Sequence, residues 1–330
     1  MTRVLAYGRA LAVWVAAGLL LACLPGLMHA ARAANVSCTF AGPTLNFPTV
    51  QPFTGYPYSA SGNVGVTCTN PNATAATIYG CISLGTGSGG TAPTNRTLAS
   101  GGNTLAFQLT GSPVYTSEIG DGTARAMAGP FSLSIPASSA STNNFPLAGK
   151  IPTPGSTPPP GSYSTTFTGT DAQMYYLTTS TSPGTCGALV AASPTSGSFT
   201  VTLNATVPAQ CLVTATGLTF PASSILGTAR TATATVTSTC NTSLPVSISL
   251  DNGVSGTGPA ARVMKSGANA ITYGIYQNAG MTQPWGSTSG TNTQTIANGT
   301  GSLTAYGQVP AQTSPAPGTY TDTVNVMISY

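Results

Sequence analysis

GSFTVTLNATVPAQC, residues 197–211, alternates without a break: Phe199, Val201, Leu203, Ala205 and Val207 on one side, Thr200, Thr202, Asn204 and Thr206 on the other. A two-residue rhythm puts each set on one face of an extended strand, so five apolar side chains face a core. The run ends at Pro208, meets Cys211 and sits near the middle of a 330-residue chain. Which sheet it joins decides the architecture. Alternation leaves two readings open: the strand completes the sandwich before it, or it opens the one after it.

The flanking sequence is duplicated. CTFAGPTLNFP at 38–48 returns as CLVTATGLTFP at 211–221, aligning Cys38, Leu45, Phe47 and Pro48 with Cys211, Leu218, Phe220 and Pro221. Farther on, NRTLASGGNTLAFQL and ARVMKSGANAITYGI align Arg96 with Arg262, Leu105 with Ile271 and Phe107 with Tyr273. Each copy closes on a Pro-Gly turn and a strand, PPPGSYSTTFTGT from Pro158 and PAPGTYTDTVNVMISY from Pro315. Short alternating runs punctuated by Gly, Pro, Asn and Ser predict an all-β protein of two tandem immunoglobulin-like sandwiches. The expected limits are 35–196 for the first, 197–207 for a linker strand and 208–330 for the second. The Pro-rich stretch 151–161 is read as a long loop inside the first sandwich, because a break there would detach its closing strand.

Composition narrows the function. Charged residues make up 4% of the chain, with 39 Gly and 26 Pro, a turn-rich β composition. Residues 1–34 read as a signal peptide: Arg3 and Arg9, the apolar run ALAVWVAAGLLLACLPGL, then ARA at 31–33. A rival reading places a lipoprotein cleavage before Cys23. No later stretch is long and apolar enough to span a bilayer, so the product is expected to be exported and not membrane-embedded.

Removing the leader removes the single histidine, His29. Six basic residues (Arg96, Arg125, Lys150, Arg230, Arg262, Lys265) and five acids (Glu118, Asp121, Asp171, Asp251, Asp322) remain, a net charge of +1. No Ser or Cys nucleophile can be given a histidine base and no histidine can hold zinc, so no catalytic, metal or cofactor site is expected. Glu118 and Asp121 are the only close carboxylates, in a Gly-rich segment that reads as a solvated turn. No basic patch suggests nucleic acid. GTGSGG at 85–90 lacks the lysine and helix of a phosphate-binding loop.

Six cysteines follow the leader, an even number that suits disulfides in an oxidising compartment. The repeat pairs Cys38 with Cys68 and Cys211 with Cys240, which leaves Cys81 and Cys186 for each other.

With these motifs assembled, the chain resembles the spore coat protein U domain family, whose members build archaic, Csu-type chaperone–usher pili. The likeness rests on an early cysteine in each copy, LxFP shortly after it, a second cysteine about thirty residues on, an arginine before a G-x-N-x-φ-x-[FY] strand, and the closing PGxYxDTVxVxIxY. It is strong in the second copy and looser in the first, where SYSTTFTGTDAQMYYL replaces the final strand. Two domains in tandem resemble the adhesive tip subunit of such pili. The resemblance implies sandwiches lacking a final strand, each filled by a donor segment ahead of a neighbour's first cysteine. Residues 198–207 then resemble a donor that fills the first domain within the chain. Only ANVS precedes Cys38 after cleavage, too short to donate, and the chain stops at Tyr330 inside the strand of Val324, Val326 and Ile328. The second domain is therefore expected to accept a strand from a periplasmic pilus chaperone, then from the adjacent pilin at an outer-membrane usher. A tip subunit of this kind would mediate attachment to an abiotic or host surface and biofilm formation. Phe53, Tyr56 and Tyr58 on one loop, and Phe145, Leu147 and Ile151 on another, are the expected adhesive residues, whereas Phe47, which repeats as Phe220, reads as core. The alternatives are a coat or pilus-shaft protein without a dedicated binding site and, more remotely, a secreted carbohydrate-binding module or hydrolase.

Overall fold

The computed structural model describes residues 35–55, 57–111, 117–153 and 156–330. The expected signal peptide and Tyr56 lie outside the described residues. The first half contains β1 Ser37–Ala41, β2 Thr44–Asn46, β3 Tyr58–Asn70, β4 Ala76–Leu84, β5 Thr97–Ser100, β6 Asn103–Ala106, β7 Gln108–Thr110, β8 Ala128–Ile135, β9 Ser139–Ile151, β10 Gly161–Phe167, β11 Ala172–Thr178, helix α1 Cys186–Ala191, β12 Thr195–Ser198 and β13 Val201–Val207. They form sheets of order β1-β3-β9-β7, β2-β13-β10-β5-β6 and β12-β11-β4-β8.

The opening stretch belongs to the first sandwich. β13 runs antiparallel to β10, from Gly161 opposite Val207 to Phe167 opposite Val201, and parallel to β2, with Leu203 opposite Leu45. Beyond β2 the ladder continues, the Phe47 and Val50 amides donating to Asn204 and Thr206 carbonyls at 2.9 Å each. Phe199, Val201, Leu203, Ala205 and Val207 are all buried in one core with Leu45, Phe47, Tyr163 and Phe167. Burying five such side chains contributes on the order of 10 kcal/mol gross.

The second sandwich holds β14 Cys211–Ala215, β15 Arg230–Cys240, β16 Val246–Leu250, β17 Arg262–Ser266, β18 Asn269–Tyr276, β19 Gln294–Ile296, β20 Gly301–Val309 and β21 Val326–Ser329. Its sheets run β14-β15-β20-β18-β17 and β19-β16-β21. A separate core gathers around Trp285, whose indole N–H donates to the Ile248 carbonyl at 3.0 Å. The cysteines bond as Cys38–Cys68, Cys81–Cys186 and Cys211–Cys240. The first and last join directly opposed residues of β1–β3 and β14–β15, and the middle one ties α1 to β4. Asn241, just past the last cysteine, joins the halves: its amide donates to the Pro208 carbonyl at 2.9 Å and to that of Pro158, in the first sandwich, at 3.1 Å.

One expectation needs correction. Residues 144–151 are not a loop but the second half of β9, and Leu147 and Ile151 are in the core, 1% and 0% exposed. Pro146 suggested a loop, yet it is tolerated opposite Asn63 of β3 because among the described residues β7 pairs with Ala148–Lys150 of β9 and the ring lies beyond that ladder. Phe47 is buried as expected, while Phe220 at the matching position is partly buried and packs against the second core.

Leu203→Ala removes a fully buried side chain from the strand that closes the first core. The transition of that half is expected to fall by about 2–5 kcal/mol in denaturant melts, leaving the Trp285 fluorescence transition of the second half in place.

Candidate strand-binding cleft

The repeat makes one half a template for the other. Ser164 of β10 pairs with Ala99 of β5, and the corresponding Thr321 pairs with Lys265 of β17. The Tyr163 hydroxyl donates to the Pro159 carbonyl at 2.7 Å, and the corresponding Tyr320 hydroxyl to that of Ala316 at 2.6 Å. Residues 318–324 thus hold the place of β10, and residues 217–220 the place of β2. In the first sandwich β13 lies between those elements. In the second, no strand lies between them among the described residues, and a cleft of about 1030 Å³ opens there.

Exposure registers the difference residue by residue. Leu45, Tyr163 and Phe167 are buried under β13, whereas Leu218, Tyr320 and Val324 at the matching positions are half-exposed. The cleft floor is apolar: Ala234, Val236, Leu250, Ile275, Ala305 and Val309 are buried and line it. Gly307 lets the rim approach β20 closely, since a Cβ there would stand 2.6 Å from Leu218 Cδ2 and 2.9 Å from Phe220 Cζ. Gly149 performs the same service beneath Phe47.

Polar groups organise one end. Asp322 lines the cleft, accepting from the Val254 and Thr323 amides at 2.9 Å each and from the Tyr273 hydroxyl at 2.8 Å. Burial, reinforced by that carboxylate, pushes the Tyr273 phenol up. Beside them Arg262, fully buried, donates to the carbonyls of Asp251, Pro259 and Trp285. Arg96 performs the same task in the first sandwich, donating to Gly85, Ile119 and Leu84 at 2.6–2.7 Å. Burial lowers its pKa to about 10, so it stays charged at neutral pH. Both arginines gather carbonyls from strand ends and connecting loops onto one buried donor.

The structure brings some expected site residues together and scatters others. Val324, Val326 and Ile328 all pack against the second core from a half-buried edge, although β21 begins only at Val326. Phe53 and Tyr58 are half-buried, and the Tyr58 hydroxyl accepts from the Gln51 amide at 2.8 Å. Phe145 is half-buried and stacked on Phe131, ring centroids 3.5 Å apart. The close carboxylates are occupied structurally: Glu118 pairs with Arg125 at 2.7 Å, and Asp121 accepts from the Thr123 amide and hydroxyl. The repeat aligns Leu218, Arg262, Tyr273 and the Asp322 segment with their counterparts, and nothing in those residues distinguishes a covered wall from an open one. Among the described residues no helix is long and apolar enough to cross a membrane.

The model of the Spore Coat Protein U domain family matches residues 25–170 and 196–327. The second match begins inside β12, so β13 counts as sequence of the second copy while it folds into the first sandwich. The fold is similar to that of the chaperone–tip subunit pre-assembly complex from the archaic chaperone–usher Csu pili of Acinetobacter baumannii, at 15% identity and a TM-score of 0.51 over 89% of this chain and 100% of that chain. The chain also aligns with the CupB6 tip adhesin of Pseudomonas aeruginosa at 12% identity and a TM-score of 0.34, over 89% of this chain and 94% of that one. No curated protein sequence matches.

Arg262→Leu keeps bulk but takes the arginine donor from the Asp251 and Trp285 carbonyls, each costing about 1–3 kcal/mol when buried unpaired, while the Pro259 carbonyl keeps the Ile275 amide. Calorimetry of the variant is expected to show the second half unfolding several degrees earlier, with the first half unmoved.

Proposed function

Because the chain belongs to the Spore Coat Protein U domain family, we propose that it is the two-domain adhesive tip subunit of an archaic chaperone–usher pilus. It is exported through the periplasm and carried on the cell surface, where it attaches the cell to abiotic or host surfaces and supports biofilm formation. The observation that carries this reading is the contrast between the two sandwiches: β13 fills the first from within the chain, and the matching cleft of the second is open among the described residues. An apolar cleft beside an unpaired strand edge aggregates unless another strand covers it. A periplasmic chaperone lends that strand first; at the outer-membrane usher the arm of the adjacent pilin replaces it. The donor-like segment ahead of Cys211 is spent inside the chain, which suits a subunit that receives a strand and terminates a fibre.

Co-expression with a periplasmic pilus chaperone tests the reading. The chain is expected to copurify, and Leu218→Asp, which places a charge on the half-exposed rim without disturbing the buried floor, is expected to lose most of that capture. A chain that never copurifies overturns the proposal. For the adhesive role, Phe53, Tyr58 and Phe145 keep exposed surface after Leu147 and Ile151 pass to the core, and the two phenylalanines are the apolar pair to test. Replacing both by Asp, with folding checked by circular dichroism, is expected to reduce attachment to polystyrene several-fold; unchanged attachment removes them from the contact surface.

A further inference from the structure

The filled sandwich also specifies the strand that the open one takes. In the first half the closing hairpin is broken. β13 pairs with β10, and β12 pairs with β11, Gln173 opposite Ser198 and Met174 opposite Gly197. Between the two ladders β10 and β11 are separated by a single 3-10 turn, Gly169–Asp171, three residues with no counterpart on the β12–β13 side. The face presented to the core changes phase across it, from Tyr163, Thr165 and Phe167 to Ala172, Met174 and Tyr176.

The second half lacks that turn. Met174 pairs with Ile82 as Ile328 pairs with Ile248, and Ile82 aligns with Ile248 in the repeat, so Ile328 matches Met174. Thr321 matches Ser164 by its pairing with Lys265. The stretch between these anchors is three residues shorter than in the first half, and Tyr320, Asp322, Val324, Val326 and Ile328 keep a single phase, each half-buried between exposed neighbours.

We propose that the second sandwich accepts one unbroken thirteen-residue strand along 318–330, antiparallel to it, bridging the cleft and the free edge of β21 in a single register; this rests on the tip-subunit reading above. Transferring the pairs of the first half puts the donor positions equivalent to Val207, Leu203, Val201 and Gly197 opposite Gly318, Asp322, Val324 and Ile328. The position equivalent to Phe199 then falls opposite Val326, with no bulge between the two parts. The donor therefore presents alternating apolar side chains over its whole length, its amino end at Tyr330.

One position differs in size. Gly197 is required in the first half because a Cβ there would lie 2.5 Å from the Phe40 ring. The residue matching Phe40 in the second half is Val213, on β14. The smaller side chain leaves room opposite Ile328, and the donor there carries a side chain larger than hydrogen.

The test uses the full chain and three fluorescent peptides: segment 195–207 of this protein, the same segment with Gly197→Val, and residues 201–207 alone. The valine peptide is expected to bind on the order of a hundredfold tighter than the short one, because it adds two inward apolar side chains. It is also expected to protect the amides of 326–330 from exchange. Equal binding of long and short peptides, without that protection, overturns the unbroken register while leaving the acceptor cleft intact. No binding by any peptide overturns the register and the tip-subunit reading together. Val213→Phe, which restores the bulk of Phe40, is expected to weaken the valine peptide about tenfold and spare the glycine one. An equal loss for both overturns the size assignment.

Discussion

A β-sandwich is stable only when every strand edge that borders its core is paired and both faces of that core are roofed. Backbone amides left unpaired beside apolar side chains lose water without gaining a partner, and the apolar surface beside them stays wet. The whole architecture follows from how this requirement is met in each half. In the first, β13 supplies hydrogen bonds to β10 and β2 and five side chains to the core in one element. In the second, the same walls stand with the gap between them open among the described residues.

The remaining machinery is nearly identical between the halves, which isolates the strand as the variable. Each has a disulfide across its first antiparallel pair, a buried arginine bound only by carbonyls, and a tyrosine whose hydroxyl closes on a carbonyl four residues back. These devices hold the walls without help from the closing strand. A buried guanidinium costs desolvation, but with several carbonyls aimed at it that cost is offset locally and the loops it ties cannot collapse into the gap. Their presence around the open cleft explains why the second half keeps a preformed groove with an apolar floor.

Much of the fold was legible in the sequence because duplication converts one chain into its own alignment. Cys38 with Cys211, Phe47 with Phe220 and Arg96 with Arg262 reported two equivalent sandwiches without any structural information. What could not be read was context. Phe47 and Phe220 share a leucine two residues before and a proline directly after, yet the strand laid across the first covers it while the second stays partly exposed. Pro146 misled for a different reason: it stays in register with Asn63 of β3, and its missing N–H is tolerated because among the described residues β7, on the other side, pairs with Ala148–Lys150 and not with it; neighbour length is not a local property.

The boundary of the repeat makes the same point about modularity. Residues 196–207 belong to the second copy by sequence and to the first sandwich by pairing. A unit whose leading strand always serves the unit before it can never close itself, so a row of such units necessarily ends in an open cleft at one end. Covalent linkage changes only the loop-closure term: within one chain the strand sits at high effective concentration beside the sandwich it fills, whereas on the proposed reading the open cleft takes its strand from a separate chain. The three-residue turn Gly169–Asp171 fits that division. The first half, closed once during folding, tolerates a broken ladder and a kinked donor. In the second half the proposed donor meets a single phase instead: Tyr320, Asp322, Val324, Val326 and Ile328 alternate with exposed neighbours without a turn between them.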